Sequence, residues 1–402
     1  MVKEMYDVVV AGGGPAGVAA AIAAARRGAS TVLIERYGFL GGMGTAGLVA
    51  PFMNYYAGEQ RLINGIFKEI TDQLTDMEAF GGSGDPLSFD AEALKLVLDQ
   101  MCMKAGVDVL FHTFVSGITR DGARLTQIAC VNKSGNQLIN GKIFIDATGD
   151  GDVAAYADCQ LTVGREQDGC CQPVTLMFKM GGVHKTVCGG VEYEVPKEHG
   201  LPQGRVLYFG LPRKGEVAVN MTRMTGINPI DIKDISKAEM EGRQQAWEIA
   251  AYLKKHVEGF EHAYLMTTAA QVGIRESRHI IGDYLLDDQH VLDYKKSEDD
   301  IAWCSYKIDI HNPLGDGTEI RDLEENQYYG IPYRCLTPVG TDNLLIAGRA
   351  ISASHKAHSS LRIMPTCYGI GEAAGAAAYL ALSSENVRSV DIRRLQAGIN
   401  AV

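Results

Sequence analysis

Residues 7–35 read DVVVAGGGPAGVAAAIAAARRGASTVLIE, and the elements they imply decide the fold. Asp7 to Ala11 is an apolar run bounded by glycines, the pattern of a strand buried on both faces of a parallel sheet. Gly12, Gly14 and Gly17 satisfy GxGxxG, and Val18 to Arg27 reads as an alanine-rich helix closed by Gly28. Ser30 to Glu35 is a second strand, ending in a carboxylate 23 residues after Gly12, where it can accept hydrogen bonds from a ribose. Gly12 permits the tight turn, Gly14 lets backbone reach a pyrophosphate, and Gly17 lets helix and strand pack closely. Pro15 and Ala16 open the helix, whose first turn offers N–H donors and positive dipole to phosphates. The combination predicts a dinucleotide site; the competing reading is a glycine-rich turn in an α/β domain without a ligand.

The chain around this stretch has 402 residues, 46% hydrophobic and 22% charged, which excludes a disordered or fibrous class. Its 46 glycines, with only 12 prolines and no GXY period, must serve backbone geometry. A balance of 38 basic against 49 acidic residues gives a net charge of −11, which speaks against nucleic acid or an anionic membrane as partner. The 9 cysteines are scattered without a zinc spacing, as expected of a reduced, cytoplasmic chain with no metal site. The apolar run from Val18 to Ala25 ends at Arg26-Arg27, short of the roughly 20 residues of a membrane span. Lys3 and the apolar residues after it imitate a signal peptide, but Asp7 and three consecutive glycines interrupt the pattern.

A second glycine cluster, Gly38 to Gly47 (GFLGGMGTAG), follows Glu35 and Arg36 closely. Here the sequence resembles the glutathione-reductase-like flavoproteins, in which a Gly-Gly pair after the ribose-binding acid lets backbone approach FAD. Ile143 to Asp152 (IFIDATGDGD) resembles that family's ATG strand end, and Asn343 to Arg349 (NLLIAGR) its late strand beside the flavin ribityl chain. Many relatives carry Gly-Asp there; Gly348-Arg349 stands in its place, so the Asp contact is not carried over. More narrowly, Gly273 to Arg278 (GIRESR), Ile331 to Arg334 (IPYR), Ala347 to His355 (AGRAISASH) and Arg362 to Cys367 (RIMPTC) resemble a group of FAD-dependent oxidoreductases. The resemblance implies an α/β fold: a Rossmann-like FAD-binding domain of the glutathione reductase type with an inserted α+β substrate domain. It implies FAD held by Gly12, Gly14, Pro15, Ala16, Gly17, Glu35, Arg36, Gly41, Gly42, Met43, Thr45, Val115, Ala147, Thr148, Gly149, Gly348, Arg349, Pro365 and Thr366.

On this reading residues 1–161 and 330–402 form the FAD domain and residues 162–329 the substrate domain. Phe89 to Gly106 predicts a helix capped by Asp90 and Gly106, followed by a strand from Val107 to Val115. Turns at Asp121-Gly122, Ser134-Gly135-Asn136 and Asn140-Gly141 divide a β-meander that returns to the ATG strand. In the inserted segment, Val174 to Met180, Val206 to Leu211 and Glu216 to Met221 are short strands. A helix follows, with Ser236 and Glu239 as capping box and Met240, Trp247, Ala250, Leu253 and Val257 as apolar face. The closing helix, Pro365 to Leu382, carries Gly369, Gly371 and Gly375, which indicate close helix packing because no strand and turn lead into it.

In the resembling proteins the N-terminus of this closing helix faces the flavin pyrimidine edge, where its dipole stabilises the reduced ring. Cys367 in that first turn is expected to have a lowered pKa and to be reactive, or else to be a small residue packed beneath the flavin. His355 is the candidate proton acceptor and Arg362 the candidate bidentate carboxylate clamp. For His355 and His358 the bland alternative is a solvated loop, and for Arg362 a salt bridge. Arg275, Tyr333, Arg334 and His311 are candidate substrate contacts, with ion-pair or turn roles as alternatives; Glu276 and Arg278 belong to the same network. The function expected is hydride transfer between flavin N5 and a small polar substrate, anionic where Arg362 acts as clamp. A separate electron acceptor or donor completes the cycle, and a homo-oligomer is compatible with the sequence. Two rivals stand beside it: a flavin-dependent monooxygenase, on the likeness of ATGDGD to an Asp-Gly motif of aromatic hydroxylases, and a thiazole-synthase-like protein that consumes its dinucleotide.

Overall fold

A computed structural model describes residues 4–82, 84–315 and 317–399, so residues 1–3 and 400–402 of the expected FAD-domain spans lie outside the described residues. Strand Tyr6–Ala11 is the centre of a parallel sheet, with Thr31–Ile34 and then Asp108–Leu110 on one side. On the other side lie the end of Gly135–Asp146 and then Leu344–Ile346. Val8, Val9 and Val10 are all fully buried, which is why the run does not alternate. Burying each such side chain contributes about 1.5–3 kcal/mol.

Helix Pro15–Arg26 packs on this sheet and receives the closing helix Met364–Ala381. A Cβ on Gly371 would stand 2.1 Å from Ala16 O, and one on Gly375 2.1 Å from Ala20 O. These glycines therefore serve helix contact, as their sequence context indicates. Helix Ala91–Ala105 has the expected caps: the Asp90 carboxylate accepts from Glu92 N and Ala93 N, and Gly106 turns left-handed at φ 78°.

The meander differs from expectation in one instructive place. Gly135–Asp146 runs straight through Asn140-Gly141, pairing antiparallel with Arg124–Asn132 up to Asn140 and parallel with Tyr6–Ala11 from Gly141 onward. A Cβ on Gly141 would meet Val9 Cγ2 at 2.5 Å, so this glycine permits a strand contact and makes no turn. The strand expected over residues 107–115 likewise divides into Asp108–Leu110 and Phe114–Asp121, broken where His112 takes φ 51°.

A second, antiparallel sheet has the order Gly190–Glu194, Arg205–Gly210, Val217–Val219, Phe178–Gly181, Tyr264–Thr268. Its core of Phe178, Val206, Val219 and Phe260 is closed by helix Ile232–His256. The capping box expected at Ser236 and Glu239 is absent: Asp231 caps the helix through Lys233 N and Asp234 N, and Ser236 donates to Ile232 O one turn inside it. Trp247 and Met240, expected in the apolar face, are 65% and 64% exposed, while Ala238, Gly242, Ala246 and Ile249 face inward. A Cβ on Gly242 would stand 2.8 Å from Leu176 Cβ, so the helix lies too close to its neighbours for large side chains there. Further along, Ile280, Leu286, Ile301 and Tyr329 pack into the first core, so the division into cores is finer than the span 162–329.

Candidate active site

The glycine turn builds a cleft out of backbone. A Cβ on Gly12, which has φ +98°, would collide with Ala147 O at 2.4 Å, and one on Gly17 with Gly12 O at 1.7 Å. Gly14 is the N-cap of helix Pro15–Arg26 and brings no side-chain cap, leaving first-turn N–H groups for a ligand. A Cβ on Gly14 would meet only Gly42 Cα at 3.8 Å, so the space above it is open. The cleft is open to solvent along one side, with about 110 Å³ of cavity volume inside it. Gly12, Gly14, Pro15, Ala16, Glu35, Arg36, Gly42, Met43, Ala147, Thr148, Gly149, Gly348 and Arg349 line it, with Arg362, Met364 and Cys367 at one end.

Two carboxylates shape the wall. Glu35 accepts from Gly13 N at 2.6 Å and Tyr37 N at 2.8 Å, and burial raises its pKa in spite of those bonds. Asp146 is pushed up to about 6 by burial, and it accepts from Thr148 N, Thr148 Oγ1 and Ala154 N, which fixes the Ala147–Gly149 loop. Arg349 donates to Asp150 Oδ1 at 2.7 Å, yet its buried Nε has no partner among the described residues. Burial alone would raise the Asp150 pKa, but the Arg349 charge and the Ser277 hydroxyl together lower it. An uncapped helix N-terminus, a floor only glycine fits and an unpartnered guanidinium N–H suit a dinucleotide with a pyrophosphate.

A second cavity of about 160 Å³ adjoins the first and shares Met43, Arg349, Arg362 and Met364 with it. Arg275 enters it, donating through Nη1 to Pro173 O at 2.7 Å and Thr175 Oγ1 at 2.6 Å. Arg362 donates to Gln172 Oε1 at 3.4 Å and Asp309 O at 3.3 Å, and its buried Nε has no partner among the described residues. The hydrogen-bond acceptors of both guanidiniums are thus neutral. Burial, and then the charge of Arg362, pull the Arg275 pKa down to about 9, which leaves it protonated at neutral pH. His311 lies in the same cavity, with Nδ1 unpartnered among the described residues and Nε2 3.8 Å from Asp309 Oδ1. Its pKa is well below the usual value through burial and then the charges of Arg275 and Arg362, so it is a neutral imidazole. Tyr306, Asp309 and Asn220 also line this cavity, and Gln271 and Tyr37 the first. Sequence reasoning missed these because they sit in no motif.

Several predicted residues lie elsewhere. His355 lines neither cavity; it begins the short helix His355–Leu361 and its Nδ1 is 2.6 Å from Glu276 Oε1. His358 is buried in that helix, so the solvated-loop alternative fails for both. Tyr333 is buried with its hydroxyl donating to Val387 O, and Arg334 is paired with Asp299 on the surface. Thr45 donates to Leu40 O, Gly41 N donates to Gly13 O, and Val115 pairs with Cys130 in the meander. Pro365 and Thr366 are buried in the first turn of the closing helix, where Met364 and Cys367 reach the cleft. The Cys367 pKa runs opposite to the lowered value expected: burial pushes the thiol up to about 12, against the charges of Arg349 and Arg362.

A family model described as FAD dependent oxidoreductase matches residues 7–399. The chain belongs to that family. This FAD dependent oxidoreductase is therefore an enzyme with FAD as cofactor, and the glycine-floored cleft is where its residues fit the group. Among solved structures it is similar to a geranylgeranyl bacteriochlorophyll reductase-like protein from Thermoplasma acidophilum, at 16% identity and TM-score 0.53, covering 98% of this chain and 83% of that one. It is also similar to a flavin-dependent brominase, at 13% identity and TM-score 0.55, with 98% and 83% covered. These likenesses show the fold, an α/β architecture with a Rossmann-like parallel sheet. No curated protein gives a significant match. No helix among the described residues is long and apolar enough to cross a membrane.

Proposed function

We propose that this FAD dependent oxidoreductase transfers hydride between flavin N5 and a small carboxylate-bearing substrate held by Arg275 and Arg362. The reading keeps the glutathione reductase type of FAD domain, with the antiparallel sheet layer as substrate domain. It rests on one observation: two guanidiniums line one cavity that shares Met43, Arg349, Arg362 and Met364 with the cofactor cleft, and their hydrogen-bond acceptors there are neutral. Two half-buried cations beside the single carboxylate of Asp309 leave a positive excess that favours an anion, and a carboxylate matches the planar guanidinium fork. Bound FAD supplies a two-electron hydride acceptor or donor.

The residues then divide the remaining work. Arg275 and Arg362 orient the substrate carboxylate, and the apolar wall of Met43, Val49, Met53 and Met177 excludes water from the reacting carbon. Neutral His311 takes a proton from substrate as hydride leaves, or returns it in the reverse direction. Burial first, and then arginine charges led by Arg275 and Arg362, depress the His311 pKa; a bound anion offsets those charges, so binding itself makes the imidazole a better base. The Met364–Ala381 N-terminus, which has no side-chain cap, directs its dipole to the cleft end lined by Met364 and Cys367. A separate electron donor or acceptor completes the cycle.

The test is anaerobic. Flavin-loaded enzyme is mixed with hydroxy acids, amino acids and neutral sugars, and photoreduced enzyme with enoates, while flavin absorbance is followed. A change with carboxylates only is expected. Response to neutral sugars alone, or NAD(P)H oxidation with peroxide release stimulated by an aromatic, would overturn the reading and favour a monooxygenase in the latter case.

A further inference from the structure

The stretch from Gly273 to Arg278 sends successive side chains in different directions. Arg275 enters the second cavity, Ser277 donates to Asp150 Oδ1 at 2.6 Å, and Arg278 donates to Asp150 O and Asp152 Oδ1. Glu276 turns instead into a closed polar cluster that the proposed reaction does not use. Its Oε1 lies 2.9 Å from His279 Nε2 and 2.6 Å from His355 Nδ1, and its Oε2 accepts from Gln172 N. His358 stands edge-on to His279, with ring centroids 4.6 Å apart and planes at 90°. Glu276, His279 and His358 are 0%, 1% and 1% exposed, and one donor atom from each lies within 4.8 Å of the others.

Hydrogen bonding leaves this cluster incomplete. The Nδ1 atoms of His279 and His358 are buried without a partner among the described residues, although native interiors satisfy nearly all such groups. One carboxylate and two imidazoles form a donor set of first-row divalent ions; calcium and magnesium prefer all-oxygen sites, and among the described residues no cysteine joins the set to select copper(I) or an iron–sulfur cluster. The pairs are also prearranged. Glu276 precedes strand Arg278–Ile280 and His279 lies within it, their side chains 2.9 Å apart, and His355 and His358 lie one turn apart on one face of helix His355–Leu361.

We propose that Glu276, His279 and His358 bind a divalent transition-metal ion, with His355 as the positioning partner whose Nδ1 meets the Glu276 carboxylate. The site is closed to solvent, which suits a structural ion. It joins the segment that carries Arg275 to the helix that ends beside Arg362, so the ion clips together the two elements that deliver the cavity's guanidiniums. Metal binding does not depend on the substrate reading, and the experiment measures it without turnover.

Flavin-loaded protein is stripped with EDTA, returned to metal-free buffer and titrated with Zn²⁺ by equilibrium dialysis, with thermal midpoints recorded alongside. One equivalent per chain and a midpoint that rises with zinc are expected. His358→Ala and Glu276→Gln should each weaken binding by at least the roughly 10- to 100-fold that loss of an outer-shell partner costs. The second variant keeps a hydrogen-bond acceptor in place, so it reports on ligation if the first fails to fold. Exposed histidines also pair on the surface, His199 with His256 and His184 with His262. Removing both pairs should leave the single equivalent intact. Failure to bind zinc, loss of binding with the surface pairs, or unchanged affinity in Glu276→Gln would overturn the proposal.

Discussion

The two adjoining cavities are built by opposite means. The cofactor cleft is made of backbone: Gly12, Gly14, Gly42 and Gly149 form its surface, and its helix N-terminus needs no side chain. The cavity beside it is made of side chains gathered from distant segments, with Arg275, His311 and Arg362 coming from an extended stretch, a strand and a helix end. A backbone site tolerates no added atom, whereas a side-chain site tolerates replacement and loses a function. The largest expected effect follows directly. Gly17→Ala places a Cβ 1.7 Å from Gly12 O, a collision between main chains that only movement of strand against helix relieves. Destabilisation at or beyond about 4 kcal/mol and loss of bound flavin are expected, read from thermal melts and the visible spectrum. Gly14→Ala, whose Cβ meets open space, should keep the fold and lose only cofactor affinity. Equal damage from both would break the contrast.

On the side-chain site, Arg275→Gln shortens the side chain, keeps a single amide donor group and removes the charge. The fold and flavin spectrum should persist, while KM for a carboxylate substrate rises about 10- to 150-fold, the equivalent of the roughly 1.5–3 kcal/mol of a charge-assisted hydrogen bond. An unchanged KM would mean that the cavity is not where the anion binds.

This contrast also decides what was legible in the chain. Gly12, Gly14 and Gly17 are readable because a backbone site demands one residue type at fixed spacing, and the strand and helix around them follow from local pattern. Tyr306, Asp309 and Asn220 are not readable, since any segment that folds back to the cavity supplies such residues equally well. His355 shows the cost of inferring place from proximity in sequence: it lies seven residues before Arg362 yet points into the Glu276 cluster. Glycine itself misleads where close contact and turn share a residue, as at Gly141.

Even the backbone site leans on one side chain. Asp146 holds the Ala147–Gly149 loop, and burial raises its pKa from 3.8 to about 6 in the folded state. A raised folded pKa means that the native state binds the proton more tightly, so this group's contribution is full below about pH 4 and is lost as pH rises through 6. Measured against Asp146→Asn, wild-type stability should fall by about 2 kcal/mol between pH 4 and 7 and then level off, as followed by urea denaturation. A difference that grew with pH would show that the loop is held by the ionised carboxylate at no desolvation cost.

The smallest expected effect separates size from burial in the helix that closes the antiparallel sheet's core. Helix Ile232–His256 turns Trp247 outward and packs Gly242 against Leu176 and Met224, the reverse of what hydrophobicity alone predicts. Gly242→Ala gains helix propensity, but its Cβ meets Leu176 Cβ at 2.8 Å, a crowding that typically costs about 1–3 kcal/mol. Trp247→Ser removes the helix's largest side chain and should change stability by no more than about 0.5 kcal/mol, because most of that surface is already in water. Paired thermal melts check the order. Glycine is then the sensitive position here for the same reason as in the cofactor cleft: two pieces of chain approach too closely for any Cβ. If Trp247→Ser proves the costlier change, the indole is covered in solution by a surface that the single chain does not provide.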